Sequence, residues 1–146
     1  MKPQREEKDW MNSKVFLGGT CNGSDWRDQL TPLLKISYFN PILPSWNEEA
    51  FRRELIERET CDYCLYVITP EMDGVYSVAE VIDDSNKRPS KTVFCVLSEH
   101  GSNRFSDAQR KSLEKVGEMV RKNGCRVCQS LEEVAEYLNT HSRSLG

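Results

Sequence analysis

Apolar residues in this chain fall in short runs separated by amphipathic stretches. Val15-Phe16-Leu17 leads into Gly18-Gly19-Thr20, which reads as a first strand ending in a glycine turn. Ser24-Asp25 caps a helix through about Lys35, with Trp26, Leu30, Leu33 and Leu34 on its apolar side and Pro32 bending or ending it. Ile36 to Asn40 is a short second strand, closed off by Pro41 and Pro44. Asn47-Glu48-Glu49 opens a second helix, with acidic residues where the macrodipole favours them. It runs to about Thr60 with an apolar stripe of Phe51, Leu55 and Ile56. Tyr63 to Thr69 is nearly continuous in apolar residues, as a central parallel strand is. A third helix covers Ser77 to Ser85, Asn86 to Ser90 is a turn, and Thr92 to Leu97 is the fourth strand. After a polar loop from Ser98 to Phe105, a helix from Asp107 to Lys122 turns Leu113, Val116 and Val120 inward and stops at Asn123-Gly124. Arg126-Val127-Cys128 is a fifth strand. Ser130, with Glu133 completing a capping box, starts a last helix to about Asn139.

Five strands alternating with five helices predict an α/β fold with a doubly wound parallel sheet. For five strands the expected order is the flavodoxin-like 2-1-3-4-5, whose ligand crevice opens between strands one and three at their C-terminal ends. The expected organisation is a flexible tail over 1–13, one domain over 14–140 and a loose tail over 141–146. The loops gathered on the crevice rim carry Gly18-Gly19-Thr20 with Asp25-Trp26-Arg27, then Asn40-Pro41 with Trp46, then Pro70 through Glu80.

Composition narrows the function. With 146 residues, 38% hydrophobic and 29% charged, the chain is long enough for one core and too apolar for disorder. The net charge of −3, with no basic block, argues against nucleic acid as a partner. No apolar stretch approaches the ~20 residues of a membrane helix, so no membrane partner is expected. Residues 1–13 lack the apolar core of a signal peptide, and a cytoplasmic location is the expectation. Two Cys-x-x-Cys pairs, Cys61/Cys64 and Cys125/Cys128, invite a zinc reading. However, 60 residues intervene between the pairs. If they start the third and fifth strands, one strand keeps them roughly 10 Å apart. Reduced, buried thiols are the preferred reading, with no metal and no cofactor.

Glu80 carries the candidate chemistry. It lies in the first turns of a helix that follows a central strand, where a carboxylate can face a ligand. Val-Phe-Leu-Gly-Gly-Thr at Val15 to Thr20, Asp25-Trp26-Arg27, Asn40-Pro41 with Trp46, Cys61-Asp62 before the third strand, and Gly74 to Glu80 together resemble the nucleoside 2-deoxyribosyltransferase-like superfamily, which includes deoxynucleoside monophosphate N-glycosidases. The resemblance runs from about Val15 to Leu97. It implies that Glu80 attacks the anomeric carbon of a nucleoside or nucleoside 5′-monophosphate. Glu54, eight residues before Asp62, takes the place of a second acid that is usually aspartate, and Asp73 is nearest to a further aspartate of the family. It also implies substrate contacts from Phe16, Gly18, Gly19, Thr20, Trp26, Arg27, Trp46, Gly74 and Ser77, no cofactor, and a homodimer or larger homo-oligomer. Where the family often has Glu-Leu-Gly, this chain has Glu80-Val81-Ile82.

The chemistry is consistent by itself. Breaking an N-glycosidic bond passes through an oxocarbenium-like state, which one carboxylate can trap while a second acid protonates the leaving base. Trp26 or Trp46 can stack on the base, and Thr20, Arg27 and the amides of Gly18 and Gly19 can hold a 5′ hydroxyl or phosphate. Plainer readings stand beside these. Ser77-x-x-Glu80 is also a capping box. Glu54 with Arg58 is also a surface i, i+4 pair, Asp73-Gly74 an ordinary turn, and Trp26 a core residue. Asp62 reads as structural, and His100 and His141 as surface residues. The alternative function is a non-catalytic nucleotide-binding module on the same scaffold. A phosphoacceptor receiver domain is excluded, because Gly18-Gly19-Thr20 and Thr69-Pro70 stand where its acidic residues are required.

Overall fold

A computed structural model describes residues 13–21, 23–42 and 47–145, with side chains described through His141. The five-stranded sheet is built from β1 (Lys14–Gly19), β2 (Ser37–Phe39), β3 (Tyr63–Ile68), β4 (Thr92–Val96) and β7 (Arg126–Cys128). Its order is β2-β1-β3-β4-β7, every neighbouring pair parallel, so the flavodoxin-like 2-1-3-4-5 arrangement holds. The helices are α1 (Trp26–Leu30, continued by a 3-10 turn at Thr31–Leu33), α2 (Glu48–Thr60), α3 (Tyr76–Lys87), α4 (Asp107–Lys122) and α5 (Leu131–Leu145). None is long and apolar enough to cross a membrane.

Alternation along the strands divides the core into two layers. Val15 and Leu17 of β1 face Trp26 and Leu30 of α1 and Val134 and Leu138 of α5. Phe16 points the opposite way, into a layer with Tyr66, Val81 of α3 and Leu113 of α4. β3 is buried at all six positions, as a strand covered on both faces must be.

The differences from expectation are local. The polar loop after β4 contains a two-stranded hairpin, β5 (Glu99–His100) with β6 (Asn103–Arg104). α5 continues past Asn139 to Leu145, into the stretch expected to be a loose tail. The proposed tail over 1–13 lies outside the described residues except for Ser13, which is buried and accepts a bond from the Ser37 amide at 2.8 Å.

α2 departs most. Its expected inward stripe is wrong, because Leu55 is 41% and Ile56 54% exposed. The helix instead buries Ala50, Glu57 and Arg58. Ion pairs make that orientation tolerable: Lys14 Nζ meets Glu57 at 2.7 Å, and Arg58 is taken up by acids of α3.

Cys61 and Cys64 bracket the start of β3, and Cys125 and Cys128 span β7, with β4 between the two strands. Cys61, Cys64 and Cys125 lie in one core layer and Cys128 in the other. Burial pushes the thiols of Cys61, Cys64 and Cys95 up to about 12, which keeps them protonated and inert as nucleophiles.

Candidate active site

The C-terminal ends of β1 and β3 open into a cleft of about 770 Å³. Its walls come from the loop after β1 (Gly19, Thr20, Cys21), the segment after β2 (Pro41, Ile42), α2 (Phe51, Glu54), the loop after β3 (Met72, Asp73, Gly74) and the start of α3 (Tyr76, Ser77, Glu80). This is the crevice between strands one and three that the topology requires. Three carboxylates, Glu54, Asp73 and Glu80, reach it from three different elements. No lysine or arginine side chain lines it among the described residues.

α3 begins at Tyr76 with Val75 as N-cap and no side-chain cap bond. Ser77 is therefore already inside the helix, and Ser77-x-x-Glu80 is not a capping box. Tyr76 and Glu80 stand one turn apart on the same face, which brings both to the cleft. The Glu80 side chain is only 13% exposed, with its Oε2 3.6 Å from Arg58 Nη1. Burial pushes its pKa up to about 7. Arg58 opposes the rise, and the charges of Glu54, Asp84 and Asp83 add to it. Glu80 thus changes charge near neutral pH, where a reacting carboxyl is useful.

Arg58 is fixed from behind. Asp84, fully buried, accepts from Arg58 Nη2 at 2.9 Å and Nε at 3.3 Å, from Arg88 Nε at 2.9 Å and from the Tyr66 hydroxyl at 2.5 Å. Asp83 takes a further bond from Arg58 Nη2 at 3.1 Å. The expected surface pair of Arg58 with Glu54 is replaced by this buried network.

The sequence-predicted residues divide into four groups. Glu80, Glu54, Asp73, Gly19, Thr20, Gly74 and Ser77 all line the cleft. Gly18 and Phe16 support it from behind: a Cβ on Gly18 would stand 2.6 Å from the Tyr66 ring, and Phe16 is buried and stacked on Phe39. Phe16 is thus a core residue, not a substrate contact. Two further expectations are corrected. Trp26 has no exposed surface and donates from Nε1 to the Thr20 carbonyl at 2.8 Å, so it cannot stack on a base. Arg27 is buried, with Nε and Nη2 on the Leu17 carbonyl at 3.0 and 2.9 Å and Nη1 on the Thr20 carbonyl at 2.7 Å. That guanidinium braces the glycine turn instead of reaching a phosphate. Trp46 lies outside the described residues.

The glycine turn itself is tightly built. Gly19 has φ 121°, and a Cβ there would meet the Val67 carbonyl oxygen at 2.0 Å. The Thr20 amide continues the ladder to Val67 at 2.9 Å, and its hydroxyl accepts from the Thr69 amide at 2.9 Å. The departure at Val81-Ile82 does not narrow the cleft. Val81 is fully buried, and Ile82 lines a separate groove between α3 and α4.

Several contributors were missed from sequence. Tyr76, 61% exposed, and Phe51 supply aromatic surface to the cleft. His100, expected on the surface, is an 8%-exposed clamp. Its Nδ1 lies 2.6 Å from Glu71 Oε1 and its Nε2 3.2 Å from Asp25 Oδ1. Glu71 also accepts from Thr69 Oγ1 at 3.0 Å and Asn103 Nδ2 at 3.1 Å, so the hairpin holds the loop that carries Asp73. Burial would raise the Glu71 pKa, but bonds from His100, Ser24, Thr69 and Asn103 hold it below the usual value. Asp62 is structural, accepting from the Lys14 amide at 2.8 Å. His141 stacks on Tyr137 with ring centroids 4.8 Å apart.

Comparison with known families gives one match. A family model described as nucleoside 2-deoxyribosyltransferase like covers residues 12–100, which takes in β1 through β5 and all three walls that carry carboxylates. No curated protein matches the chain.

Proposed function

The chain belongs to the nucleoside 2-deoxyribosyltransferase-like family, and we propose that it cleaves or transfers the N-glycosidic bond of an unphosphorylated nucleoside, with Glu80 as the nucleophile. The family's chemistry is nucleoside glycosyl transfer or cleavage, with a small-molecule nucleoside as ligand. The observation that carries the reading is the placement of Glu80, shielded from solvent at the start of α3 and lining the same cleft as Glu54 and Asp73.

In the first step a Glu80 carboxylate oxygen bonds to the anomeric carbon as the carbon–nitrogen bond breaks, and the leaving base takes up a proton from solvent. In the second, water or another nucleobase attacks that carbon, the Glu54 carboxylate takes the attacking group's proton and returns it to solvent, and the ester to Glu80 opens. Asp73, on the rim, is placed to orient a sugar hydroxyl. Tyr76 is the base-stacking residue, with Phe51 on the facing helix. Thr20, Gly19, Gly74 and Ser77 outline the sugar end.

The absence of a phosphate comes from charge. Three acidic side chains and no basic one line the described cleft, and the guanidiniums of Arg27 and Arg58 are committed, Arg27 to carbonyls and Arg58 to acids. A dianionic 5′-phosphate would be repelled where charge-assisted bonds are needed. Exposed Tyr38, Ile42, Leu55 and Ile56 support a homodimer or larger homo-oligomer.

The test is base release, followed by chromatography, from ribo- and deoxynucleosides and their 5′-monophosphates. Release from a nucleoside that exceeds release from its monophosphate, and that falls at least ~10³-fold in Glu80→Gln, is the expected result. Release unchanged in Glu80→Gln, or none from any substrate, refutes the catalytic reading and leaves a binding module.

A further inference from the structure

Arg58 has an unusual placement for an arginine in the last turns of a helix. Its side chain is 6% exposed, turned away from solvent and toward α3. Nε and Nη2 form a fork on Asp84, which is itself completely buried and held on its other sides by Tyr66 and Arg88. A guanidinium is planar, so fixing this edge fixes the direction of the remaining nitrogen. That nitrogen, Nη1, faces Glu80 Oε2 at 3.6 Å. The other ionisable groups around Glu80 are acidic: Glu54 on α2, Asp83 and Asp84 on α3, and Asp73 across the cleft, with the Cys21 thiol and the Tyr66 and Tyr76 phenols nearby. Arg58 is the cation that acts on Glu80 among these groups.

We infer that Arg58 is the positioning residue of the site: locked by Asp84, it favours the ionised form of Glu80 and aims that carboxylate into the cleft, so that α2 and α3 together make the nucleophile. This rests on the catalytic reading of Glu80 given above. Arg58 does not touch the substrate. Burial and the charges of Glu54, Asp84 and Asp83 favour a protonated Glu80, which cannot attack carbon. The guanidinium offsets them, and an opposite charge at ~4–6 Å is worth about one to three pH units in a carboxyl's titration. The burial of Asp84 follows from the same logic, because it delivers the arginine in a fixed orientation without lining the cleft.

The pH profile of kcat/KM for base release separates this role from simple support of the fold. In Arg58→Gln the acid limb moves up by at least about one pH unit, so the rate at a pH below the limb falls about ten-fold while the plateau at high pH is largely recovered. Arg58→Lys keeps the charge but loses the fork, and its limb lies closer to wild type than that of Arg58→Gln. Should Arg58→Gln fail to fold, Arg58→Gln with Asp84→Asn removes both buried charges together and is expected to show a smaller shift in the same upward direction, because the Asp84 charge itself raises the Glu80 pKa. Carbon-13 titration of the Glu80 carboxyl, assigned by its loss in Glu80→Gln, reads the same quantity without turnover. It is expected to move with the acid limb.

A rate that falls equally at every pH, with the Glu80 titration unmoved, overturns the inference and leaves the proposed function standing if wild type releases base. If wild type releases none, the proposed function falls, and the carboxyl titration alone decides whether Arg58 governs the charge of Glu80. An unmoved titration overturns it there too.

Discussion

Gly18 lies directly under the ring of Tyr66, close enough that a Cβ would stand 2.6 Å from Tyr66 Cε1. Tyr66 cannot swing away, because its hydroxyl is bonded to buried Asp84. The glycine turn of β1 is thereby connected to the network that orients Arg58. Gly18→Ala is expected to destabilise the fold by about 1–3 kcal/mol, the range for an overpacked core. It should also lower activity in the surviving folded protein, since the ring can yield only by disturbing Asp84. Urea denaturation and the specific activity of the folded fraction check this together. A variant of wild-type stability would mean that Tyr66 is free to move.

The high pKa of Glu80 makes stability depend on pH with a definite sign. Between the unfolded value of 4.5 and the folded value of about 7, the native state binds the extra proton. Stability from this group is therefore complete below pH 4.5 and is lost as pH rises through 7. Glu80→Gln removes that loss. Its stability relative to wild type should climb between pH 4.5 and 7, by at most about 3 kcal/mol, and stay level above. Thermal or urea unfolding at pH 5 and pH 8 measures it. A constant difference would show that Glu80 titrates as an ordinary exposed glutamate.

Tyr76 is predicted to hold the base. It is 61% exposed, so Tyr76→Ala should leave stability within about ±0.5 kcal/mol. Stacking of a base on an aromatic ring is worth about 1–3 kcal/mol, so KM for the nucleoside should rise roughly ten-fold or more. Tyr76→Phe should behave like wild type. Equal KM values in all three proteins would move the base to Phe51 or elsewhere.

The sheet was legible because burial on both faces demands long apolar runs, and Val15–Leu17, Tyr63–Thr69 and Thr92–Leu97 are such runs. Once the order is 2-1-3-4-5, the C-terminal loops of β1 and β3 must meet, and Thr20, Asp73 and Glu80 come together without any knowledge of side-chain packing. Glu54 also reached the cleft, although the facing of α2 was misjudged.

What stayed hidden depended on pairing across elements. Periodicity assigns Arg58 to solvent and Leu55 and Ile56 to the core, yet the structure reverses this because Asp84, on another helix, awaits the arginine. The adjacent acids Asp83-Asp84, one turn beyond Glu80, were the available signal. Trp26 and Arg27 looked like ligands because they follow a glycine turn. Both in fact satisfy carbonyls of that turn, a local need that composition cannot distinguish from substrate binding. His100 was likewise assigned to the surface, because neither Glu71 nor Asp25 is near it in sequence.

The central claim is a covalent bond between Glu80 and the sugar. Acid quenching of the protein during turnover of a nucleoside, followed by proteolysis and mass spectrometry of the peptides, reads it directly. The account predicts one sugar mass added to Glu80 on the peptide that carries α3, absent in Glu80→Gln. A sugar on Glu54 or Asp73, or steady base release with no adduct on any carboxylate, would contradict it.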